Sequence, residues 1–105
     1  MIWQRIRDCK MYYVYFLKLS NSQIYTGSTL DLQRRIKEHS NARVASTSKR
    51  LPFLLIGYEA YSLKSDALRR EKFLKTTEGK RLMKQQYRDI ITSVVADSPV
   101  TSSAP

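Results

Sequence analysis

Five residues of this 105-residue chain combine reactive chemistry with positions that packing alone would fill with apolar side chains: Tyr15, Tyr25, Arg35, His39 and Glu71. A phenol can hold or pass a proton. Its ordinary pKa of about 10 means that it needs cationic neighbours or a proton acceptor before it ionises. A guanidinium is permanently charged and forked, which fits it to a phosphate and to negative charge building on one. An imidazole accepts a proton near neutral pH or binds phosphate itself. A single inward carboxylate suits one hard divalent ion, Mg²⁺ or Mn²⁺, with water and phosphate oxygens completing the octahedron; a two-metal site needs several acidic ligands.

The elements that must carry these residues can be read from composition and period. Tyr12 to Leu17 is aromatic and β-branched, Ser20-Asn21-Ser22 is turn chemistry, and Gln23 to Thr26 resumes the strand pattern, so a β-hairpin is expected. Alternation puts Tyr13 and Tyr15 on one face, and Val14 and Phe16 on the other. Tyr25 shares a face with Gln23 and Gly27, and if Tyr15 lies on that face two phenols converge. Gly27, without a Cβ, would end the strand where a ligand backbone can approach. Thr29 or Asp31 then caps a helix from Leu32 to His39. Leu32 and Ile36 mark its inner stripe, and Arg35 and His39 fall on the same side. An ordinary amphipathic helix, with a snorkelling arginine and a satisfied edge histidine, fits this spacing too. Ser65 or Asp66 caps a second helix with Ala67, Leu68 and Leu74 inward. Glu71 lies on that stripe, where a carboxylate is costly unless something charged meets it. A metal would meet it, and so would a salt bridge to Arg69, Arg70 or Lys72.

The ordered set Tyr13-Val14-Tyr15, Tyr25-Thr26-Gly27, Arg35 eight residues after that glycine, His39 four further on, and a later helical glutamate, Glu71, resembles the signature of the GIY-YIG nuclease family. The likeness spans roughly residues 11 to 90. It is strongest to the small stand-alone, single-domain members, related to the N-terminal nuclease domain of the bacterial excision-repair nuclease subunit. Tyr13 stands where the naming glycine would be, and Val14 where the isoleucine would be. The asparagine that some larger members carry after the glutamate has no counterpart.

The resemblance implies a metal-dependent DNA endonuclease that hydrolyses phosphodiester bonds, in repair or in processing branched or damaged DNA. Glu71 would hold one Mg²⁺ or Mn²⁺ ion, and Arg35 would grip the scissile phosphate. Tyr15 would be the general base or orient the water, and Tyr25 would position water or phosphate. His39 would accept the proton of Tyr15 or bind phosphate. The intact set favours an enzyme over a catalytically silent nucleic-acid-binding module of the same fold, which is the alternative.

The rest of the chain sets the frame. Lys and Arg number 19 against 9 acidic residues, a formal net charge of +10. That balance favours a polyanionic partner, through release of counterions from DNA phosphates. Arg43, Lys49 and Arg50, in a polar stretch without period, could face phosphates. So could Lys75, Lys80 and Arg81, with Lys84, on the flank of a third helix. One cysteine and one histidine exclude a disulfide framework and argue against a structural zinc site. No apolar run nears the ~20 residues of a membrane span, and a cytoplasmic location is the default. The length allows one domain with one modest core, and leaves sequence specificity low or supplied by a protein partner. The expected organisation is an extension over 1–10, a domain over 11–92 and a disordered tail over 93–105. The expected fold is α/β: a small three-stranded, largely antiparallel sheet near 12–19, 23–28 and 53–60, flanked by helices near 30–40, 65–76 and 78–92. Gly57 would mark a bulge or close packing.

Overall fold

Four consecutive residues, Val14 to Leu17, are fully buried, as a strand covered on both faces must be. They lie in the centre of the sheet in a computed structural model that describes residues 10–96. The elements are β1 (Tyr12–Lys18), β2 (Ile24–Thr29), α1 (Leu32–Ser40), β3 (Leu54–Tyr61), α2 (Lys64–Leu74), α3 (Thr77–Gln86) and α4 (Arg88–Ala96). The sheet order is β2-β1-β3, and both pairings are antiparallel. Tyr15 sits opposite Gly27 on one side and Tyr58 on the other, and Leu17 sits opposite Tyr25 and Leu55. The register against β3 slips between Phe16 and Leu17, just beyond the Phe16–Gly57 pair, so the bulge lies at the glycine.

The two faces of the sheet build separate cores. Tyr15, Leu17 and Leu19 pack with Tyr25, Leu32, Ile36, Phe53 and Leu55 beneath α1. Val14, Phe16 and Ile56 pack with Ala67, Leu74 and Met83 beneath α2 and α3. Each large apolar side chain buried this way contributes roughly 1.5–3 kcal/mol. A polar clamp reinforces the second face. Arg70 donates to both oxygens of Glu59 at 2.9 and 3.2 Å, while the hydroxyls of Tyr61 and Tyr87 donate to the same carboxylate at 2.6 and 3.1 Å. Burial works to raise the Glu59 carboxyl, but these donors hold it below its ordinary value. Burial first, and the Glu59 charge next to them, push Tyr61 and Tyr87 up to about 12.

Leu68, expected on the inward stripe of α2, is exposed, and only Ala67 and Leu74 of that stripe are buried. Three further details differ from the sequence expectation. The helix expected over 78–92 is two helices, broken at Tyr87. There the ring turns inward, 5.0 Å from the ring of Phe16, with its hydroxyl on Glu59. Helix α2 begins after Leu63, which makes no side-chain cap bond, and Asp66 instead pairs with Arg69 at 2.9 Å. Helix α4 continues to Ala96, inside the segment expected to be a disordered tail. Residues 1–9 and 97–105 lie outside the described residues.

Helix α1 is capped by Asp31, whose side chain accepts from the Arg34 amide at 3.2 Å. Its last turn carries His39 and closes on Ala42, which has the left-handed φ of 59° that glycine adopts without cost. Ala42→Gly should therefore raise stability by about 0.5–1 kcal/mol, the left-handed penalty less the extra chain entropy of glycine. Denaturant unfolding of the two proteins measures this, and a less stable glycine variant would refute it.

Candidate active site

Beneath α1, the Tyr15 side chain is completely buried, so its hydroxyl needs a partner. The partner is His39 Nε2, 2.8 Å away. His39 is also fully buried, and its Nδ1 lies 2.8 Å from Thr47 Oγ1. The Thr47 hydroxyl donates to the Val44 carbonyl at 3.4 Å, which leaves its oxygen free to accept. The order of donation follows: Nδ1–H to Thr47, and the Tyr15 O–H to the Nε2 lone pair. This is a neutral imidazole. Burial, then the nearby Arg35 charge, lowers the His39 pKa and keeps it neutral. Burial likewise pushes Tyr15 up to about 12; Arg35 opposes that and Tyr25 adds to it.

Two residues stand at the mouth of this closed chain. Tyr25 is half-exposed, with its ring centroid 5.1 Å from His39 and 6.2 Å from Tyr15. Arg35 is half-exposed too, and its Nη1 donates to Glu38 Oε1 at 2.9 Å. Glu38, and after it the adjoining Tyr15, favour its charged form. Gly27 decides whether the cluster can form. A Cβ there would stand 2.5 Å from the Tyr15 hydroxyl oxygen and 2.7 Å from the carbon bearing it. The space expected to admit a ligand backbone is thus filled by the Tyr15 phenol, and the strand runs on to Thr29.

The sequence expectation placed Glu71 beside these residues, but the sheet lies between them. Glu71 projects from α2, on the Val14 side. Ser28, which pairs with Val14, donates to its Oε1 at 2.6 Å, and Lys75 Nζ lies 3.0 Å from its Oε2. The carboxylate still reaches β2 one residue beyond Gly27, at the open edge of the sheet. Its salt-bridge partner is Lys75 rather than Arg69, Arg70 or Lys72; Arg69 and Arg70 are taken by Asp66 and Glu59. No group of three or more His, Cys, Asp or Glu side chains that could hold a metal occurs among the described residues. One carboxylate with a neighbouring hydroxyl fits a single hard ion that takes its remaining oxygens from water and substrate.

Of the two roles implied for His39, phosphate ligand does not fit this arrangement, because both ring nitrogens are engaged and the ring is sealed. The cations expected to meet phosphates are dispersed. Arg50 and Lys80 border a groove that also touches Tyr25, Lys75 pairs with Glu71, and Arg81 pairs with Glu78 at 2.6 Å. Arg43 and Lys49 are exposed in the segment after α1. Thr47 and Ser28 escaped the sequence reading. Both are short hydroxyl residues, one in a stretch without period and one at a strand end, so only their partners reveal them.

The GIY-YIG catalytic domain family matches residues 11–87. Among curated proteins, a UPF0213 protein of Haloquadratum walsbyi is 37% identical over 82 residues, 75% of this chain and 92% of that protein. A UPF0213 protein of Orgyia pseudotsugata multicapsid polyhedrosis virus is 38% identical over 98 residues, 87% of this chain and 93% of the viral one. Another, from Staphylococcus saprophyticus, is 35% identical over 74 residues, 70% and 90% of the two chains. No solved structure matches the chain.

Gly27→Ala should drive the Tyr15 ring off His39, at the 1–3 kcal/mol typical of roughly one methyl too many in a packed core. Denaturant unfolding would register that loss, and an unchanged midpoint would contradict the geometry. His39 also sets a pH dependence. Its folded pKa lies below the ordinary 6.5, so as pH falls past that value the unfolded state binds a proton that the folded state resists. Stability should therefore drop between about pH 7 and pH 5, with a slope of up to about 1.4 kcal/mol per pH unit for the one proton. Glu59 has the same sign but acts below its ordinary 4.5, outside that window. Unfolding of wild type and His39→Gln at both pH values tests this: the fall should be confined to wild type, and a flat wild-type profile would overturn it.

Proposed function

The chain belongs to the GIY-YIG family, and on that premise we propose that it is a metal-dependent endonuclease that hydrolyses phosphodiester bonds in DNA, acting in repair or in processing branched or damaged DNA. The observation that supports this most is the half-exposed pair Tyr25 and Arg35 at the mouth of the buried Tyr15–His39–Thr47 chain. Tyr25 is the phenol open to water, so it takes the role of orienting the attacking water, whose proton passes to solvent. Tyr15, sealed in and held protonated, is a positioning group, and His39 fixes its hydroxyl. Arg35, braced by Glu38, turns its remaining N–H groups to the scissile phosphate and stabilises the charge that builds there.

Glu71, with Ser28 beside it, would hold one Mg²⁺ or Mn²⁺ ion. When bound, such an ion supplies Lewis-acid stabilisation to the phosphate and its leaving oxygen. A DNA backbone crossing the open edge of β2 would meet Arg35 on one side and Glu71 on the other. Arg43, Lys49, Arg50, Lys75, Lys80 and Arg81 would add phosphate contacts that position without reading bases, leaving specificity low or supplied by a protein partner. Among the described residues no helix is long and apolar enough to cross a membrane. A cytoplasmic site of action belongs to this proposal.

One observation favours the second reading, a catalytically silent nucleic-acid-binding module: Glu71 is already satisfied by Ser28 and Lys75, on the far side of the sheet from Tyr15. Glu71→Gln separates the two. It keeps the size of the side chain, so DNA binding in EDTA should be unchanged or slightly tighter. Cleavage in Mg²⁺ should fall by orders of magnitude, at about 1.4 kcal/mol of lost stabilisation per tenfold. Arg35→Ala should weaken cleavage strongly and binding mildly. A mobility shift and a nicking assay on the same branched and linear DNAs decide. A wild type that binds every substrate and cuts none would establish the silent module, and an equally fast Glu71→Gln would end the metal assignment.

A further inference from the structure

Between β2 and α3 lies a groove of about 300 Å³, with Tyr25 and Thr26 on its strand side and Lys80 and Lys84 on its helix side. Arg50 and Gln23 also line it, and among the described residues no aspartate or glutamate does. Arg50 is held in place there: its Nη1 donates to Gln23 Oε1 at 3.1 Å and its Nη2 to the Ser46 carbonyl. Lys80 and Lys84 are one helical turn apart on the same face of α3, which separates them by about 6 Å along the axis. Tyr25 borders both this groove and the candidate active site, so the two adjoin.

We propose that this groove holds the backbone phosphates of one unpaired DNA strand leaving the site, so that the preferred substrate carries a single-stranded segment next to the bond that is cut. The proposal rests on the nuclease reading above and gives it a substrate class. Three cations without an opposing acid complement a phosphate chain. A volume at the lower end of ligand-sized cavities, roughly 300 Å³, is commensurate with one strand's backbone rather than with a whole duplex. Among the described residues Tyr25 is the only aromatic one in the lining, so contact is through phosphate charge rather than a stack of bases.

The test reads binding, not cleavage. Lys80→Ala/Lys84→Ala in the full chain is compared with Lys64→Ala/Lys72→Ala, which removes the same charge from lysines that do not line the groove. Fluorescence anisotropy in EDTA, over a salt series, uses a single-stranded oligonucleotide, a blunt duplex of the same sequence, and that duplex with a single-stranded flap. The groove variant should lose about tenfold in affinity for the single strand and the flap. Its logarithmic salt slope on the single strand should shrink by roughly 1.4, about 0.7 for each of two phosphates. Its affinity for the blunt duplex should fall by clearly less, and the control variant should match wild type on every DNA. An equal loss on blunt duplex, an equal loss in the control, or an unchanged single-strand slope would each overturn the proposal. The two readings fail separately. A protein that shows the pattern but never cuts keeps the groove and loses the nuclease. A protein that cuts, but whose groove variant binds like wild type, loses the groove alone.

Discussion

The structure turns on a phenol hydroxyl that has no access to water. Tyr15 is buried on the central strand, and an unpartnered hydroxyl in such a place would cost more than its hydrogen bond is worth. His39 meets it, which fixes the rotation and phase of α1. Thr47 meets the other imidazole nitrogen, which folds the segment after α1 back over the helix end. Gly27 completes the set by leaving room for the ring. No buried side-chain nitrogen or oxygen among the described residues lacks a partner. A network satisfied this fully is rigid, and rigidity is what Tyr25 and Arg35 need if they are to meet a substrate in one geometry.

The other face of the sheet solves a related problem with charge. Glu59 is half-buried among Arg70, Tyr61 and Tyr87, and this clamp joins β3 to α2 and to the break before α4. Several remaining acids are likewise paired with nearby bases: Glu38 with Arg35, Asp66 with Arg69, Glu71 with Lys75, and Glu78 with Arg81. Exposed pairs of this kind contribute little to stability, so a phosphate can take over the cation at small cost. With a net charge of +10, the surface is suited to meeting a polyanion before any specific contact forms.

Much of this was legible in the sequence. The aromatic and β-branched run from Tyr12 to Leu17 determined a strand, whose alternation puts Tyr15 and Val14 on opposite faces, and the turn residues after it determined the hairpin. The spacing of Leu32, Arg35, Ile36 and His39 placed an arginine and the histidine on the inward side of α1. These are local properties of neighbouring residues, and local sequence is enough to carry them. Composition alone determined the basic charge.

Other features were decided only when distant segments met. That Tyr25 shares the face of Tyr15 depends on the hairpin register, because a slip of one residue would send it to the other side. Thr47 became the partner of His39 through loop closure, which leaves no periodic mark. The placement of Glu71 depended on which face of the sheet α2 covers. Its helical spacing is the same for either face, so the sequence could show an inward carboxylate but not that Ser28 and Lys75 would meet it. The break at Tyr87 is of the same kind: nothing nearby in the chain stops the helix, and the turn comes where the ring finds Phe16 and Glu59. Periodicity states which side of an element is inward, and only the packed fold states what that side faces.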